Sequence, residues 1–218
     1  LVNKITNMII NEVLSPGYQF PNEIEMCQML KIGRSSLREA YKVLESNGLI
    51  KRTKRGTFVN SKSNYSLDTL LNIEIKNSDF MDLLEFRMVV EGKTAYFAAE
   101  RATPSEIDKL KKILERMNSE KNNITKFSFH DLAFHLKIAE MSHNILLNNA
   151  FQFTSEKFLK GINEAFLKLD NDGIERALDY HNKIYKCISE KRLDDAMKTM
   201  EEHVMDIMIN TNNIWATN

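Results

Sequence analysis

Several residue types that mark other classes of protein are scarce in this 218-residue sequence. Its two cysteines, Cys27 and Cys187, lie far apart and in no paired metal or redox spacing, which fits a reducing cytoplasm and excludes a disulfide scaffold. No segment approaches the roughly 18 apolar residues of a membrane helix, and no secretory signal pattern precedes the first helical segment. We therefore expect a cytoplasmic protein with no membrane partner.

Glycine and proline are also scarce, at seven and three residues, whereas methionine and leucine are plentiful. This balance favours helices. Apolar residues make up 43% and charged residues 28% of the chain, which are ordinary values for a globular protein that buries a core. The length suits either one large domain or two domains of ordinary size.

The sequence lacks net charge, because 30 lysines and arginines balance 30 aspartates and glutamates. The average hides an asymmetry. Residues 1–60 hold nine basic and five acidic residues, a balance of +4, so the remainder carries −4. A locally basic module on a neutral protein is compatible with phosphate binding, although this alone does not identify a function.

Residues 1–60 begin with the pattern of three helices. Val2–Leu14 has apolar residues at helical spacing and ends in the turn residues Ser15-Pro16-Gly17. Asn22 can cap a short second helix. The tight turn Lys31-Ile32-Gly33 then separates it from a third helix over residues 34–47.

A hairpin is predicted after the third helix. Gly48 suits the left-handed position at the helix end. Two short strand-like runs, residues 49–52 and 57–59, surround Lys54-Arg55-Gly56. Three helices and a hairpin predict a winged helix-turn-helix. The residues predicted to face inward from the second and third helices are Ile24, Cys27, Leu30, Leu37, Ala40, Tyr41 and Leu44.

Such a module binds DNA through the first residues of its third helix, here Arg34, Ser35, Ser36 and Arg38. Arginine can grip guanine edges or neutralise phosphates, and serine can donate to phosphate oxygens. At the predicted hairpin tip, Arg55-Gly56 offers a cation on a backbone that can approach DNA closely. Each arginine alone is better explained as a solvated surface charge, but together these features favour DNA binding.

The segment closely resembles the GntR family of bacterial regulators over nearly all of residues 1–60. The resemblance implies that Arg34, Ser35, Ser36 and Arg38 contact operator DNA, assisted by Arg55-Gly56. Many members carry an arginine just after the glutamate of the first signature, where this chain has Ile24, so contacts on that side are expected to differ. The matching residues are Pro21-Asn22-Glu23, residues 33–40 (Gly-Arg-Ser-Ser-Leu-Arg-Glu-Ala), Leu44, residues 48–50 (Gly-Leu-Ile) and residues 55–59 (Arg-Gly-Thr-Phe-Val).

The rest of the chain is predicted to be an all-helical domain. Residues 61–66 are polar and aperiodic, so we predict a linker over residues 63–78, between a domain over 1–62 and a second over 79–213. Thr103, followed by Pro104 and Glu106, is a well-formed helix start. About six helices make a mainly α protein with a helical bundle. The predicted breaks fall near residues 103–104, 122–123, 143–144, 170–173 and 191–193.

Four polar residues of this bundle are unusually placed. Asp131 and His135 are four apart, on one face of a helix. His181 and His203 fall in the apolar stripes of two later helices. One such histidine is more often a hydrogen-bonded core residue, whereas a carboxylate with three imidazoles is a good ligand set for zinc, nickel, manganese or iron. The residues by themselves leave both interpretations open.

Arg87 falls on the predicted interior face of its helix. A buried guanidinium needs an anion. One candidate is Glu91, one turn along the same helix. The other is the carboxylate of a ligand, held by the planar guanidinium fork.

Residues 79–210 resemble the FCD ligand-binding domain of the FadR branch of the GntR family. In its metal-containing members an aspartate and three histidines hold a divalent ion, which implies Asp131, His135, His181 and His203 as ligands, with zinc as the first expectation. The branch senses small organic acids and sugar acids, which implies that Arg87 binds an effector. The matching residues are Glu85-Phe86-Arg87, Val90-Glu91, residues 131–135 (Asp-Leu-Ala-Phe-His), residues 142–144 (Ser-His-Asn), His181 and His203.

The family often has glycine where this chain has His143, which raises the question of a fifth imidazole near the site. Neither His143 nor His130 belongs to the ligand pattern, and we interpret both as surface or structural residues. The combined interpretation is a homodimeric repressor, not an enzyme, controlled by a small organic acid. Two alternatives stay open: the metal is itself the signal or a structural clamp, or the second domain is a metal-dependent hydrolase, which the lack of an HExxH motif disfavours.

Overall fold

A computed structural model describes residues 1–168 and 171–215 and divides the chain into two compact units, Leu1–Asn77 and Ser78–Asn218. Helices dominate both units, so the predicted mainly α fold class is confirmed. None of the helices in these residues is long and apolar enough to cross a membrane.

The first unit is built from three helices followed by a two-stranded antiparallel sheet, which is the predicted winged helix-turn-helix order. In the sheet, Ile50 pairs with Val59 and Thr53 with Gly56, so the hairpin turns at residues 54–55. The elements are α1 (Val2–Ile10), α2 (Glu23–Leu30), α3 (Arg34–Ser46), β1 (Ile50–Thr53) and β2 (Gly56–Val59).

Local chemistry fixes where α2 begins and α3 ends. The Asn22 side chain accepts hydrogen bonds from the backbone N–H groups of Ile24 and Glu25, and the Glu25 carboxylate accepts one from the Asn22 N–H in return. After α3, Gly48 has a φ of 72°, in the left-handed region that favours glycine. A Cβ at Gly48 would lie 2.0 Å from the Asn64 carbonyl oxygen, so no larger residue fits there.

The core of the first unit confirms the predicted face of α3 and corrects α1 and α2. Leu37, Ala40, Tyr41 and Leu44 of α3 are all buried. The first helix ends at Ile10 rather than Leu14, because Glu12 adopts a left-handed backbone with a φ of 58°.

On α2 the predicted inward face is wrong in part. Met26 is the buried residue, whereas Ile24 is 54% exposed and Cys27 and Leu30 are partly buried. Because α2 has only eight residues and apolar side chains in several directions, its sequence does not define one inward face.

The segment predicted as a linker contains regular structure. A short 3₁₀ helix, Lys62–Asn64, leads into α4 (Leu67–Asn77), which belongs to the first unit. Tyr65 and Ile73 are buried in that unit's core. Residues 63–77 are therefore packed rather than extended, a feature that the polar run at residues 61–66 conceals.

The second unit consists, within the described residues, of six helices, as predicted. The predicted breaks near residues 103, 122, 143 and 191 match the observed ones, and Thr103 forms a capping box with Pro104 in the first turn. Asp170, at the remaining predicted break, lies outside the described residues. The helices are α5 (Phe80–Arg101), α6 (Pro104–Ser119), α7 (Ile124–Met141), α8 (Ile145–Lys168), α9 (Asn171–Ser189) and α10 (Leu193–Trp215).

Helix α5 is the centre of this bundle and contacts α7, α8, α9 and α10. Small buried residues allow the close approach. At Gly92, a Cβ would lie 2.8 Å from Glu201 Oε1 on α10, and Ala95, Ala98 and Ala99 are also buried. The interior face of α5, which carries Arg87 and Glu91, therefore meets the helices that carry the other candidate residues.

Candidate functional sites

Asp131, His135, His181 and His203 meet in the core of the second unit. Helix α7 supplies Asp131 and His135 one turn apart, α9 supplies His181 and α10 supplies His203. One potential ligand atom from each residue lies within 4.8 Å of the other three, and no residue is more than 1% exposed. The structure thus brings together the four residues that the sequence predicted to face inward.

The distances in this cluster are short. His181 Nε2 lies 3.2 Å from His135 Nε2 and 3.1 Å from Asp131 Oδ1, and the His203 ring stacks on that of His135 with centroids 5.4 Å apart. Within the part of the chain that the structure describes, both Asp131 oxygens and His203 Nε2 lack a hydrogen bond of acceptable geometry. Buried polar atoms without partners are costly, and one cation would satisfy all three. The residues therefore fit a divalent transition metal.

Other groups hold the outward nitrogens of two of these rings. His181 Nδ1 donates to the Ala177 carbonyl oxygen at 2.5 Å, one turn earlier in α9. His135 Nδ1 lies 2.5 Å from Glu91 Oε2 on α5, a close contact whose angles are not those of a hydrogen bond. Contacts of this kind orient a metal-ligating ring and leave its other nitrogen free to bind.

The buried environment sets the charges of the cluster. Burial raises the pKa of Asp131, but the contact with His181 and the neighbouring His135 and Arg87 side chains outweigh burial and lower this pKa. Burial lowers the pKa of His135 despite the Glu91 carboxylate, and it lowers the pKa of His203 well below the usual histidine value. An ionised aspartate with neutral His135 and His203 is the protonation pattern that metal binding requires.

Arg87 is completely buried and has both a partner and spare donors. Its Nε donates to Glu91 Oε1, and its Cζ lies 3.3 Å from the centroid of the Phe158 ring. The guanidinium nitrogens Nη1 and Nη2 have no hydrogen-bond partner among the described residues. The predicted pairing with Glu91 is therefore present, and two donors are left for a second anion.

His143 and His130 of the bundle lie outside the cluster. His143 has a φ of 51°, in the region that favours glycine, and its Nε2 lies 3.1 Å from Glu106 Oε1 at the start of α6. His130 packs edge-on against Phe129. Neither residue is a fifth imidazole at the site.

In the first unit, Arg34, Ser35, Ser36 and Arg38 are all exposed at the start of α3. These residues form one polar edge, because Leu37 alone among residues 34–38 turns into the core.

The hairpin tip lies close to the segment before α2. Arg55 is exposed, and Gly56 has a φ of 131°. The Gln19 side-chain amide donates to the Arg55 carbonyl oxygen at 3.0 Å, and a Cβ at Gly56 would lie 2.9 Å from Gln19 Nε2. The backbone at Gly56 therefore accommodates both the turn and the Gln19 contact.

Glu23 belongs to the family signature, but the sequence pattern indicates no role for its side chain. Its carboxylate joins two arginines, with Oε2 at 2.9 Å from Arg38 Nε and Oε1 at 2.9 Å from Arg52 Nη2. No spacing signal could reveal this arrangement, because the three residues lie on α2, α3 and β1. The contact fixes part of the Arg38 side chain on the exposed edge of α3.

Sequence models of two families match the two units. The model described as "Bacterial regulatory proteins, gntR family" matches residues 1–59, and the FCD domain matches residues 82–206. The chain belongs to the GntR family. Its second unit is an FCD domain, and FCD domains are a metal-binding family.

Relatives and solved structures agree with this assignment. The chain is 36% identical over 155 residues to the "Putative L-lactate dehydrogenase operon regulatory protein" of Escherichia coli (strain K12), across 67% of this chain and 59% of that protein. It is 26% identical over 206 residues to the "HTH-type transcriptional regulator LutR" of Bacillus subtilis (strain 168), across 92% of this chain and 94% of the relative. The solved structure "Streptococcus agalactiae GntR" has a TM-score of 0.56 at 26% identity, covering 95% of this chain and 96% of that one.

The match therefore spans about three fifths of the length of the first relative and nearly all of the second. The chain therefore joins a domain of the bacterial gntR regulatory family to an FCD domain. The first relative is named as an operon regulatory protein and the second as a transcriptional regulator.

The Glu106 contact predicts a pH-dependent contribution to stability. Burial raises the pKa of Glu106, but hydrogen bonds from the Thr103 N–H and hydroxyl and the contact with His143 lower it from 4.5 to about 2. A lowered carboxyl pKa stabilises the fold above the unfolded value, and this stability is lost as pH falls toward the folded value. Glu106→Gln should therefore destabilise the protein most above pH 4.5, with the difference shrinking between 4.5 and about 2.

Urea unfolding of wild type and Glu106→Gln across this range measures the effect. Glu115→Gln is the control, because Glu115 lies exposed on the same helix, 4.0 Å from Lys111. A destabilisation by Glu106→Gln that is the same at every pH would contradict the assigned role.

Proposed function

We propose that this chain is a homodimeric repressor whose operator affinity is controlled by a small carboxylate bound beside a divalent metal in the FCD domain. One observation supports this above all. Arg87 is fully buried with two guanidinium nitrogens unpartnered among the described residues, and its partner Glu91 touches His135 of the ligand cluster. A buried guanidinium with spare donors suits an anionic ligand.

Asp131, His135, His181 and His203 would hold the metal. Zinc is the first expectation for three imidazoles and one carboxylate, with nickel, manganese and iron as alternatives. When bound, the ion supplies a fixed positive charge in a site sealed from solvent. The Arg87 charge would also offset the free energy that an anion loses when it leaves water for the protein interior.

The effector class follows from the shape of these donors. Nη1 and Nη2 of an arginine form a planar pair that matches the two oxygens of a carboxylate. The guanidinium also lies against the rings of Phe158 and Phe151, which suits a small ligand with an apolar part. Because one relative is named for an L-lactate dehydrogenase operon, L-lactate is the first compound to test.

DNA binding is proposed to use the exposed start of α3. In a dimer, two such helices would enter successive major-groove faces of a palindromic operator, with Arg34, Ser35, Ser36 and Arg38 against bases and phosphates and Arg55-Gly56 beside them. Repression relieved by the effector requires different effector affinities in the DNA-competent and DNA-incompetent states. The family resemblance supports repression, whereas one relative is named a "Glc operon transcriptional activator". A transcription assay decides between repression and activation.

The metal site predicts about one equivalent of transition metal per chain in protein purified without chelator. His135→Ala should lose this metal, because it removes a ligand from the centre of the cluster. His130→Ala, on the same helix but outside the cluster, should retain it. Elemental analysis of the three proteins measures the outcome, and absence of metal from wild type even after titration would reject the site.

The proposed DNA contact predicts that Arg38→Ala weakens operator binding by about 1–3 kcal/mol if the side chain reads a base, and lowers the salt slope by about one if it contacts a phosphate. The probe is a DNA fragment selected by the wild-type protein from a random pool. Lys4→Ala removes the same charge from α1 and serves as the control. Unchanged affinity and salt slope in Arg38→Ala would exclude Arg38 from the interface.

The effector site predicts that L-lactate or acetate shifts operator affinity of the metal-loaded protein by about 5–150-fold, in the range of known allosteric couplings. Arg87→Met should abolish the shift. The control is Arg101→Met, because Arg101 is also on α5 and lies over an aromatic ring, Phe97. Fluorescence anisotropy of labelled DNA measures the shift, and circular dichroism verifies folding.

The same experiment separates the alternatives. If operator affinity responds to metal addition alone and no carboxylate has an effect, the metal is the signal and the role given to Arg87 is wrong.

A further inference from the structure

Glu91 contacts both Arg87 and a residue of the ligand cluster, His135. Its Oε1 accepts the hydrogen bond from Arg87 Nε, and its Oε2 lies 2.5 Å from His135 Nδ1. The side chain is 2% exposed, and those of Arg87 and His135 are fully buried. Solvent therefore does not screen either contact.

The Glu91–His135 contact determines which ring nitrogen of His135 is available to bind a cation. An ionised carboxylate carries no proton and repels a ring lone pair, so the 2.5 Å separation of Oε2 and Nδ1 places the ring proton on Nδ1. The lone pair is then on Nε2, the nitrogen that lies 3.2 Å from His181 Nε2 and 3.9 Å from Asp131 Oδ1. Glu91 thus orients His135 toward the cluster although it is not itself a member of the ligand set.

The Glu91–Arg87 contact determines which donors of the guanidinium are left. With Nε taken by Glu91, the edge formed by Nη1 and Nη2 has no partner among residues 1–168 and 171–215. One carboxylate therefore holds the histidine in the orientation for a cation and the arginine in the orientation for an anion.

We propose that Glu91 is a positioning residue that couples the metal site to the anion site, so that each ligand strengthens the binding of the other. An anion on Nη1 and Nη2 takes up part of the Arg87 charge, which leaves the Glu91 carboxylate to interact more strongly with His135 and makes Nε2 a better donor to a cation. A cation on Nε2 polarises the Nδ1–H toward Glu91 and attracts the anion. By linkage, the two effects on affinity are equal. This inference rests on the proposed function, because it assumes a metal and a carboxylate ligand.

The test uses zinc alone and then zinc with acetate. Zinc dissociation constants, from competition with a chromogenic chelator, are measured for wild type, Glu91→Gln and Glu100→Gln. Glutamine keeps the shape of Glu91, but its NH2 group replaces one of the two acceptor oxygens and faces the N–H of either Arg87 or His135. Glu100 is exposed on the same helix and supplies the same change of charge.

We expect zinc affinity to fall about 10–100-fold in Glu91→Gln and to stay unchanged in Glu100→Gln, as for other groups that orient a metal ligand. Acetate should tighten zinc binding in wild type and have a much smaller effect in Glu91→Gln. If Glu91→Gln equals wild type in both measurements, the proposal for Glu91 is overturned while the metal and anion sites stand. If wild type binds zinc without any effect of acetate, the coupling proposal fails, whereas the anion site is judged by the effect of acetate on operator affinity. If wild type binds no zinc, the metal site fails as well.

A second measurement covers the case in which Glu91→Gln does not fold. In metal-free wild type labelled with ¹⁵N-histidine, the His135 ring, assigned by comparison with His135→Ala, should be the Nδ1–H tautomer. A ring that is merely packed in the core does not need its proton to face Glu91. An Nε2–H tautomer would therefore overturn the proposal.

Discussion

The second unit depends on the burial of a charged network in the middle of a helical bundle. Arg87, Glu91, Asp131 and His135 are each no more than 1% exposed. Taking such groups out of water is expensive, and their mutual contacts repay the cost only when geometry and protonation are right. Replacement by apolar residues of similar volume would satisfy the packing alone. This cost fits the proposed role of the network in binding ligands.

The architecture of the bundle serves this network. Helix α5 lies against four other helices because small residues line part of its buried face, where Gly92 packs against Glu201. Phe158 from α8 covers the guanidinium of Arg87. The Arg87 guanidinium thus contacts both the Glu91 carboxylate and the Phe158 ring, and each contact limits its movement. Any ligand that draws on Arg87 acts on side chains from several helices at once.

In the first unit, the ion pairs around Glu23 lie at the surface rather than in the core. Glu23 links Arg38 and Arg52 where all three side chains have access to solvent, so these ion pairs add little to stability. Their effect is on orientation, because they hold an arginine that would otherwise sample many rotamers. The apolar face of α3 fixes the helix on the core and leaves its first turn exposed.

From the sequence we could predict the order of elements, the cap at Asn22, the face of α3 and the set of four inward-facing polar residues. These features depend on interactions between residues a few positions apart, which a linear pattern records. The sequence-based prediction was wrong in part at α1 and α2, because short helices and a left-handed residue leave no clear apolar period. It was also wrong at residues 63–77, where packing overrides a polar composition. Tertiary packing, in contrast, brings Glu91 to His135, joins Glu23 to two arginines and brings His143 to Glu106. Each of these contacts joins residues far apart in the chain, and their pairing is set by how the helices pack.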